Sequence, residues 1–220
     1  MLALRFDENA RTRESGLRVL AIGAHSDDLE IGCGGALLRL GAIYPDAEVL
    51  WVVLSAEGDR AEEARRSAAE FTEGFAASRV LLGEFRDGFL PYGGGAVKEF
   101  FEGLKDEIAP DVIFTHHRSD LHQDHRIACE LIWNTFRNHL VLEYEIPKFD
   151  GDMGAPNVFV HLDDQTVNRK IELLLRHFGT QSDRRWFTDD LFRGLMRLRG
   201  MESNSPSGHA EAFYGRKLVL

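Results

Sequence analysis

The chain has 220 residues, of which 36 are Asp or Glu and 26 are Lys or Arg, so its formal net charge is -10. A chain of this length can bury a full hydrophobic core, and it fits a single domain covering residues 1–220. The acidic balance and the lack of a long Lys/Arg run argue against a nucleic-acid partner.

The N-terminal segment, residues 1–16, is polar and charged, unlike a secretory signal. No later apolar run reaches the roughly 18 residues of a membrane span. Cys33 and Cys129 are the only cysteines, too few for a disulfide framework, and they fit small core residues in a reducing compartment. We therefore expect a cytoplasmic protein without a membrane span.

Apolar runs that suit strands alternate with segments that suit helices. The runs predict strands at residues 17–24, 48–54, 79–82 and 111–115. The first two are continuously apolar, as expected when helices cover both faces of a sheet. Alternating strands and helices predict parallel pairing through crossover helices. The fold class is therefore expected to be a Rossmann-like three-layer α/β/α sandwich with a mostly parallel sheet.

The intervening segments carry helical spacing. They predict helices at residues 34–40, 61–75, 97–108 and 123–136, and Pro110 stops the third. The pattern of the core is complete by about residue 137, so we place the core at about residues 17–137.

Beyond residue 137 the pattern is weaker. Residues 141–146 and 158–162 suit strands, and residues 163–178 suit a helix capped by Asp163 or Asp164. Residues 148–156 predict a surface loop, and residues 200–208 are rich in Ser and Gly. We expect this C-terminal part, residues 138–220, to shape a substrate pocket, with residues 148–156 and 184–204 at its border.

Two clusters of histidine and aspartate each follow a predicted strand. They are Ala24-His25-Ser26-Asp27-Asp28 and His122-Gln123-Asp124-His125. Ligands of an open parallel sheet bind beyond the carboxyl ends of the strands, so the clusters are expected to converge. Two His and one Asp can form a catalytic zinc site that keeps a position open for water. Adjacent Asp27 and Asp28 diverge, which leaves one of them free to accept a proton.

Each cluster alone has a simpler interpretation. Asp27 or Asp28 could cap a helix, and His122 and His125 could lie at a solvated helix start. Two clusters after two different strands are harder to explain this way, which favours a metal hydrolase. The glycine-rich residues 32–35 do not indicate a dinucleotide site, since the neighbouring carboxylates would repel a pyrophosphate; they more simply let a helix pack closely on the sheet.

These motifs resemble those of the LmbE/PIG-L-like zinc-dependent N-deacetylases, which act on N-acetylated amino sugars and their conjugates. The family motif Ala-His-Pro-Asp-Asp is present at residues 24–28 with Ser26 in place of proline, and the motif His-x-Asp-His is present at residues 122–125. The resemblance covers most of the chain. Weaker matches occur at Arg66, Gly83, Asp87, Lys170, His177, Gln181 and residues 210–213.

The resemblance implies a role for each motif residue. Asp27 would be the general base acting on water. His122, if protonated, would stabilise the oxyanion and protonate the leaving amine, while Asp124 would orient it. The products would be acetate and a free amine. The implied ligands of Zn²⁺, or of Fe²⁺ or another divalent ion, are His25, Asp28 and His125.

The substrate contacts are less well defined. Arg66 and Asp87 resemble family positions that contact sugar hydroxyls, but they also suit a surface salt bridge and a loop acid. His116 and His117 end the fourth predicted strand, where either could line the pocket.

Asp120 stands where the family often has a tyrosine that polarises the substrate carbonyl. An anion cannot stabilise an oxyanion, so this role would pass to His122, the metal ion or Tyr92. Asp120 could instead orient an imidazole or bind a sugar hydroxyl.

The leading hypothesis is a metal-dependent hydrolase that removes the N-acetyl group from a small-molecule amino sugar or its conjugate. Two alternatives stay open: an amidase that cleaves a larger N-acyl group, and a non-catalytic sugar-binding protein. The presence of Asp27 and His122 argues against the binding protein, which needs no proton carrier. A homo-oligomer is compatible with the sequence.

Overall fold

The structure is a computed structural model that describes residue 6 and residues 16–218. The predicted polar segment, residues 1–16, therefore lies outside the described residues apart from Phe6 and Gly16. The strands are β1 (Arg18–His25), β2 (Glu48–Ser55), β3 (Ala77–Leu82), β4 (Val112–His116), β5 (Leu140–Tyr144), β6 (Val158–Leu162) and β7 (His209–Gly215). The helices are α1 (Asp28–Ile43), α2 (Gly58–Phe71), α3 (Gly94–Glu107), α4 (Gln123–Thr135), α5 (Asp164–His177) and α6 (Asp189–Glu202).

The strands form one sheet in the order β3-β2-β1-β4-β5-β7-β6. The first five strands of this order pair in parallel, and β7 is antiparallel to both β5 and β6. From β1 the chain crosses to β2 on one side and later returns to β4 on the other. This reversal between β1 and β4 opens a crevice at the carboxyl ends of the two strands.

Two hydrophobic clusters lie on opposite faces of the sheet. One contains buried residues of α1, α2, α5 and α6, and the other contains buried residues of α3 and α4. Along β1, Ala21 belongs to the first cluster and Ile22 to the second. Both faces are therefore covered, as the continuously apolar strands require. The predicted three-layer α/β/α sandwich is confirmed. Among the described helices, none is both long and apolar enough to cross a membrane.

Helix α1 begins at Asp28, six residues before the predicted start, because the glycine-rich segment is itself helical. A Cβ atom at Gly32 would lie 2.2 Å from the ring of Tyr144, and one at Gly35 would lie 2.6 Å from Leu162. The absence of side chains lets α1 approach the sheet closely. This packing outweighs the low helix propensity of glycine.

The C-terminal part contributes more structure than the sequence predicts. Helix α6 and strand β7 were not predicted, and β7 lies inside the sheet between β5 and β6. Side chains such as Val167 of α5, Phe192 of α6 and Phe213 of β7 belong to the first hydrophobic cluster. The core therefore extends well beyond residue 137. The predicted loop at residues 148–156 contains no helix or strand.

A buried ion pair joins α5, β7 and the middle of α1. The Lys170 ammonium contacts the Glu211 carboxylate at 2.6 Å and donates to the Ile31 carbonyl at 2.6 Å. Glu211 accepts from the backbone N–H groups of Gly35 and Ala36, each at 2.7 Å. The matched positions Lys170 and Glu211 thus have a structural role in attaching α1 to the C-terminal part.

The close approach of α1 to the sheet predicts opposite effects for two glycine substitutions. Gly32→Ala should destabilise the protein by about 2 kcal/mol, because the added methyl group overlaps the buried Tyr144 ring. Gly103→Ala in α3 should stabilise it by about 0.5 kcal/mol, because alanine favours a helix and nothing lies within 4 Å of its Cβ. Urea denaturation measures both free energies of unfolding. Equal changes in the free energy of unfolding for the two variants would show that α1 does not pack closely at Gly32.

The buried ion pair predicts a large cost for removing its cation. Lys170→Met should lower the free energy of unfolding by about 3 kcal/mol, because the buried Glu211 carboxylate loses its cation. Lys105→Met is the matched control, since Lys105 pairs with Glu102 at the surface, and should change stability little. Thermal or urea denaturation of both variants checks this. A Lys170→Met protein as stable as the control would show that the ion pair is not a structural support.

Candidate active site

The crevice between β1 and β4 brings the two sequence clusters together. His25 ends β1, Asp27 and Asp28 begin α1, and His122 and His125 lie at the start of α4. His25 Nδ1 and His125 Nε2 are 3.2 Å apart although 100 residues separate them in sequence. The expected convergence at the carboxyl ends of parallel strands is therefore present in the fold.

Three donor groups in this crevice fit a divalent metal ion. His25 Nδ1 lies 3.3 Å from Asp28 Oδ2, His125 Nε2 lies 3.5 Å from Asp28 Oδ1, and the two imidazole nitrogens are 3.2 Å apart. Two ligands bound about 2.1 Å from zinc at the tetrahedral angle lie about 3.4 Å from each other. The separations and the N/O chemistry of these donors suit a divalent ion, and His122 with His25 and His125, or His116 with Asp28 and His125, also bring ligand atoms within 4.8 Å of one another.

Asp28 also faces His116, a fully buried histidine that the sequence analysis gave only as a possible pocket-lining residue. His116 Nε2 lies 3.1 Å from Asp28 Oδ2, and its ring stacks on that of His125 at a centroid distance of 3.8 Å. Burial raises the pKa of Asp28, but the neighbouring His125, His116 and His25 outweigh this effect, and its pKa lies well below the usual range. Asp28 is thus held as an anion, the form that binds a metal.

Asp120 orients His125. Its Oδ2 atom lies 2.9 Å from His125 Nδ1 and 2.9 Å from the ammonium of Lys148, and its Oδ1 atom accepts from the His122 backbone at 2.8 Å. Burial raises the pKa of Asp120, but His125, His116 and Lys148 together lower it to about 2. A carboxylate on Nδ1 leaves Nε2 free to face Asp28. Asp120 is only 3% exposed, so the alternative role in binding a sugar hydroxyl does not suit its position.

Asp124 has a different partner from the one expected. Only its backbone N–H contacts His122, at 3.2 Å from Nδ1. Its carboxylate lies 3.3 Å from His25 Nε2 and accepts from the backbone N–H groups of Gly88 at 2.7 Å and Leu90 at 3.2 Å. Asp124 therefore orients His25 rather than His122, and it fastens the loop after β3 to the site.

Asp27 occupies the N-cap position of α1, but its side chain makes no capping hydrogen bond. Its Oδ1 atom instead accepts from the Arg60 guanidinium at 2.8 Å. Burial raises the pKa of Asp27, although Arg60 opposes the shift. A carboxylate with a raised pKa is a stronger base than an ordinary aspartate. The simple capping interpretation therefore does not hold for Asp27.

His122 is held as a hydrogen-bond acceptor at Nδ1, because the backbone N–H of Asp124 donates to that atom at 3.2 Å. The neutral ring then carries its proton on Nε2. Burial and the neighbouring His125 and His25 lower the pKa of His122. These contacts favour the neutral ring over the protonated ring on which the predicted proton donation by His122 depends.

Asp87 and Arg66 differ in their relation to the site. Asp87 Oδ1 lies 3.1 Å from His25 Nε2, and its side chain is 77% exposed, which places it at the rim. Arg66 is exposed on α2 and makes none of the contacts with the clusters. Arg60, which was not among the predicted site residues, makes the contact with Asp27 instead. Arg60 follows β2 at the same edge of the sheet, and this position could have indicated that it lies near the clusters.

His117 and Tyr92 lie outside the group of donors. His117 Nδ1 is 3.0 Å from the buried carboxylate of Glu143, and its ring stacks on Tyr214 at a centroid distance of 3.7 Å. The Tyr92 side chain is 76% exposed and packs beside Phe89. These contacts hold the His117 and Tyr92 rings away from Asp28.

The donor geometry predicts how substitutions change metal affinity. His25→Ala should weaken Zn²⁺ binding at least a hundredfold because a ligand is lost, and Asp120→Asn should weaken it roughly tenfold because His125 loses its orienting anion. Arg66→Ala is the control and should bind normally. Isothermal titration of chelator-treated protein with Zn²⁺ measures the affinities. Unchanged binding by His25→Ala would exclude this donor set.

Comparisons with known proteins identify relatives of this chain. The family model PIG-L, described as GlcNAc-PI de-N-acetylase, matches residues 20–136. The curated protein named uncharacterized deacetylase YaiS, from Escherichia coli (strain K12), is 30% identical over 181 residues, which cover 72% of this chain and 89% of YaiS.

Two solved structures share the fold. The N,N'-diacetylchitobiose deacetylase from Pyrococcus horikoshii superposes with a TM-score of 0.69 at 20% identity, covering 91% of this chain and 84% of that one. GalB, the 4-carboxy-2-hydroxymuconate hydratase from Pseudomonas putida KT2440, gives 0.74 at 15% identity, covering 93% and 98%. The fold alone therefore does not determine the reaction. The family match and the similarity to YaiS do identify the family: the chain belongs to the PIG-L family of deacetylases.

Proposed function

We propose that the chain is a metal-dependent N-deacetylase that hydrolyses the N-acetyl group of an amino sugar or its conjugate. The observation that carries this proposal is the set of three donors, His25 Nδ1, Asp28 and His125 Nε2, at mutual distances of 3.2 to 3.5 Å. Asp27, a buried carboxylate with a raised pKa, adjoins this set. A ligand set with an adjacent base is what amide hydrolysis by water requires.

His25, Asp28 and His125 would hold the ion, with Zn²⁺ proposed and Fe²⁺ or another divalent ion as the alternative. When bound, such an ion lowers the pKa of water toward 7 and polarises the amide carbonyl. Asp120 and Asp124 orient the two imidazoles from the far side of each ring, at 2.9 Å and 3.3 Å. Their role is to keep the ligand nitrogens directed at one point.

Asp27 is the proposed general base. Arg60 occupies its Oδ1 atom, so Oδ2 is available to take a proton from water as the water oxygen attacks the acetyl carbonyl carbon. The proton then passes from Asp27 to the leaving nitrogen as the C–N bond breaks. One water is consumed, and acetate and a free amine are released. The raised pKa of Asp27 suits both transfers.

His122 is the proposed hydrogen-bond donor to the developing oxyanion. With Nδ1 accepting from the Asp124 backbone, its Nε2–H can donate without the ring being charged. This would fill the role of the family's tyrosine at position 120, for which exposed Tyr92 is less well placed. Delivery of the proton to the amine is then assigned to Asp27, and His122 keeps its own.

The proposed partner is a small amino-sugar molecule. Asp87, exposed at the rim and 3.1 Å from His25, is suited to accept hydrogen bonds from sugar hydroxyls. Arg66 and His117 stay predicted substrate contacts. Cys33 and Cys129 are both free and buried, which supports the proposed cytoplasmic setting. A homo-oligomer also stays a prediction.

The proposal separates metal binding from proton transfer. Asp27→Asn should keep the metal content of the wild-type protein but lower the rate of acetate release by roughly a thousandfold, because the amide cannot act as a base. Acetate release from N-acetylglucosamine and related N-acyl glucosamines measures turnover, and elemental analysis measures the metal. Asp106→Asn, an exposed aspartate on α3, is the matched control and should retain activity.

Each contrary result has a distinct meaning. Full activity of Asp27→Asn would exclude Asp27 as the base. Release of longer acids in preference to acetate would identify an amidase of larger N-acyl groups. Metal-loaded protein that binds these amides but releases no acid would indicate a sugar-binding protein.

A further inference from the structure

An open groove lies beside the candidate active site, between the loop after β3 and the start of α3. The residues that border it are Phe85, Arg86, Phe89, Leu90, Tyr92, Gly93 and Val97. Two aromatic side chains of the groove are open to solvent, Phe89 at 43% and Tyr92 at 76%. Exposed aromatic side chains gathered in a groove favour ligand binding, because a ligand that covers them removes apolar area from water.

The aromatic side chains are held in place by contacts within the loop. The Phe89 and Tyr92 rings lie 5.7 Å apart at an angle of 54°. The Arg86 guanidinium lies 3.6 Å from the centre of the Phe89 ring and covers one of its faces. Phe85 packs edge-on against Phe100 of α3 and anchors the start of the segment. These contacts restrict the Phe89 ring, and a side chain that is already restricted loses less entropy on binding.

The loop that borders the groove also contacts the candidate active site. The backbone N–H groups of Gly88 and Leu90, on either side of Phe89, donate to the Asp124 carboxylate that contacts His25. Asp87 immediately precedes this pair and lies 3.1 Å from His25. The same loop therefore joins the rim of the donor set, at Asp87, to the groove residues Phe89 and Leu90.

We infer that this groove, on the proposed function of an amino-sugar deacetylase, binds an aromatic aglycone attached to the anomeric carbon of the sugar. The N-acyl group must lie at the donors, and Asp87 suits the sugar hydroxyls. The groove beyond Asp87 is therefore left for the substituent on the far side of the sugar. Phe89 and Tyr92 offer faces and edges for a planar ring, which gains more from such contacts than an aliphatic group does.

The phenyl and methyl β-glycosides of N-acetylglucosamine test this inference, since they differ only in the aglycone. We expect the metal-loaded wild-type protein to have the higher kcat/KM, by acetate release, for the phenyl glycoside. Phe89→Ala should lower the phenyl-to-methyl ratio of kcat/KM roughly tenfold, because a stacking surface is lost. Leu175→Ala is the control: Leu175 on α5 is 45% exposed, as Phe89 is at 43%, but it lies outside the groove. Binding of both glycosides, measured by ligand-observed NMR, gives a readout that needs no turnover.

The two readouts separate failure of this inference from failure of the proposed function. Acetate release with no phenyl preference, or with a preference that Phe89→Ala retains, would overturn the groove assignment and leave deacetylation supported. A phenyl preference in binding that Phe89→Ala loses, without acetate release, would support the groove and contradict deacetylation. If Phe89→Ala changes the ratio between N-butanoyl and N-acetyl substrates instead, the groove holds the acyl group and the aglycone assignment is wrong.

Discussion

The candidate active site depends on one buried carboxylate, that of Asp28, remaining charged. His25, His116 and His125 lie within 3.3, 3.1 and 3.5 Å of its oxygens, and the His25 backbone N–H donates to it at 2.7 Å. A carboxylate removed from water is tolerated only where hydrogen-bond donors, positive charges or a bound cation replace its hydration. The requirement is met where β1, β4 and the starts of α1 and α4 come together. Charge compensation and sheet topology therefore select the same point in the fold.

The position of Asp28 in turn depends on how α1 is held. Glycines on α1 permit close contact with Tyr144 and Leu162, and the Lys170–Glu211 pair bonds the Ile31 carbonyl and the Gly35 N–H. The Ile31 carbonyl and the Gly35 N–H are four residues apart, so they are also the acceptor and donor positions of one i to i−4 hydrogen bond of the helix. The C-terminal part thus supports the helix that presents Asp27 and Asp28.

Much of the fold and part of the site could be predicted from the sequence. The strands β1 and β2 are continuously apolar, and the parallel-sheet rule then brought His25, Asp28 and His125 together. Helix α6 and strand β7 escaped prediction, because a Ser- and Gly-rich stretch separates them and an antiparallel strand inserted between β5 and β6 leaves little local signal. The partners of Asp124 and Asp27 also escaped it. The contacts of Asp124 depend on the backbone path of residues 83–93, and that of Asp27 depends on whether Arg60 or Arg66 faces the crevice. Contacts between distant loops leave no periodic pattern in the sequence, so they could not be predicted from it.

The hydrogen bonds of Asp124 have a thermodynamic consequence. One carboxylate orients His25 and also fixes the loop that carries Phe89, so a shift of that loop changes the restraint on a donor nitrogen. Two ligands that act on a shared element must change each other's affinity by the same factor. On the proposed assignment, occupancy of the groove and occupancy of the donor set would be linked equilibria, in which the apparent affinity for either ligand depends on the concentration of the other.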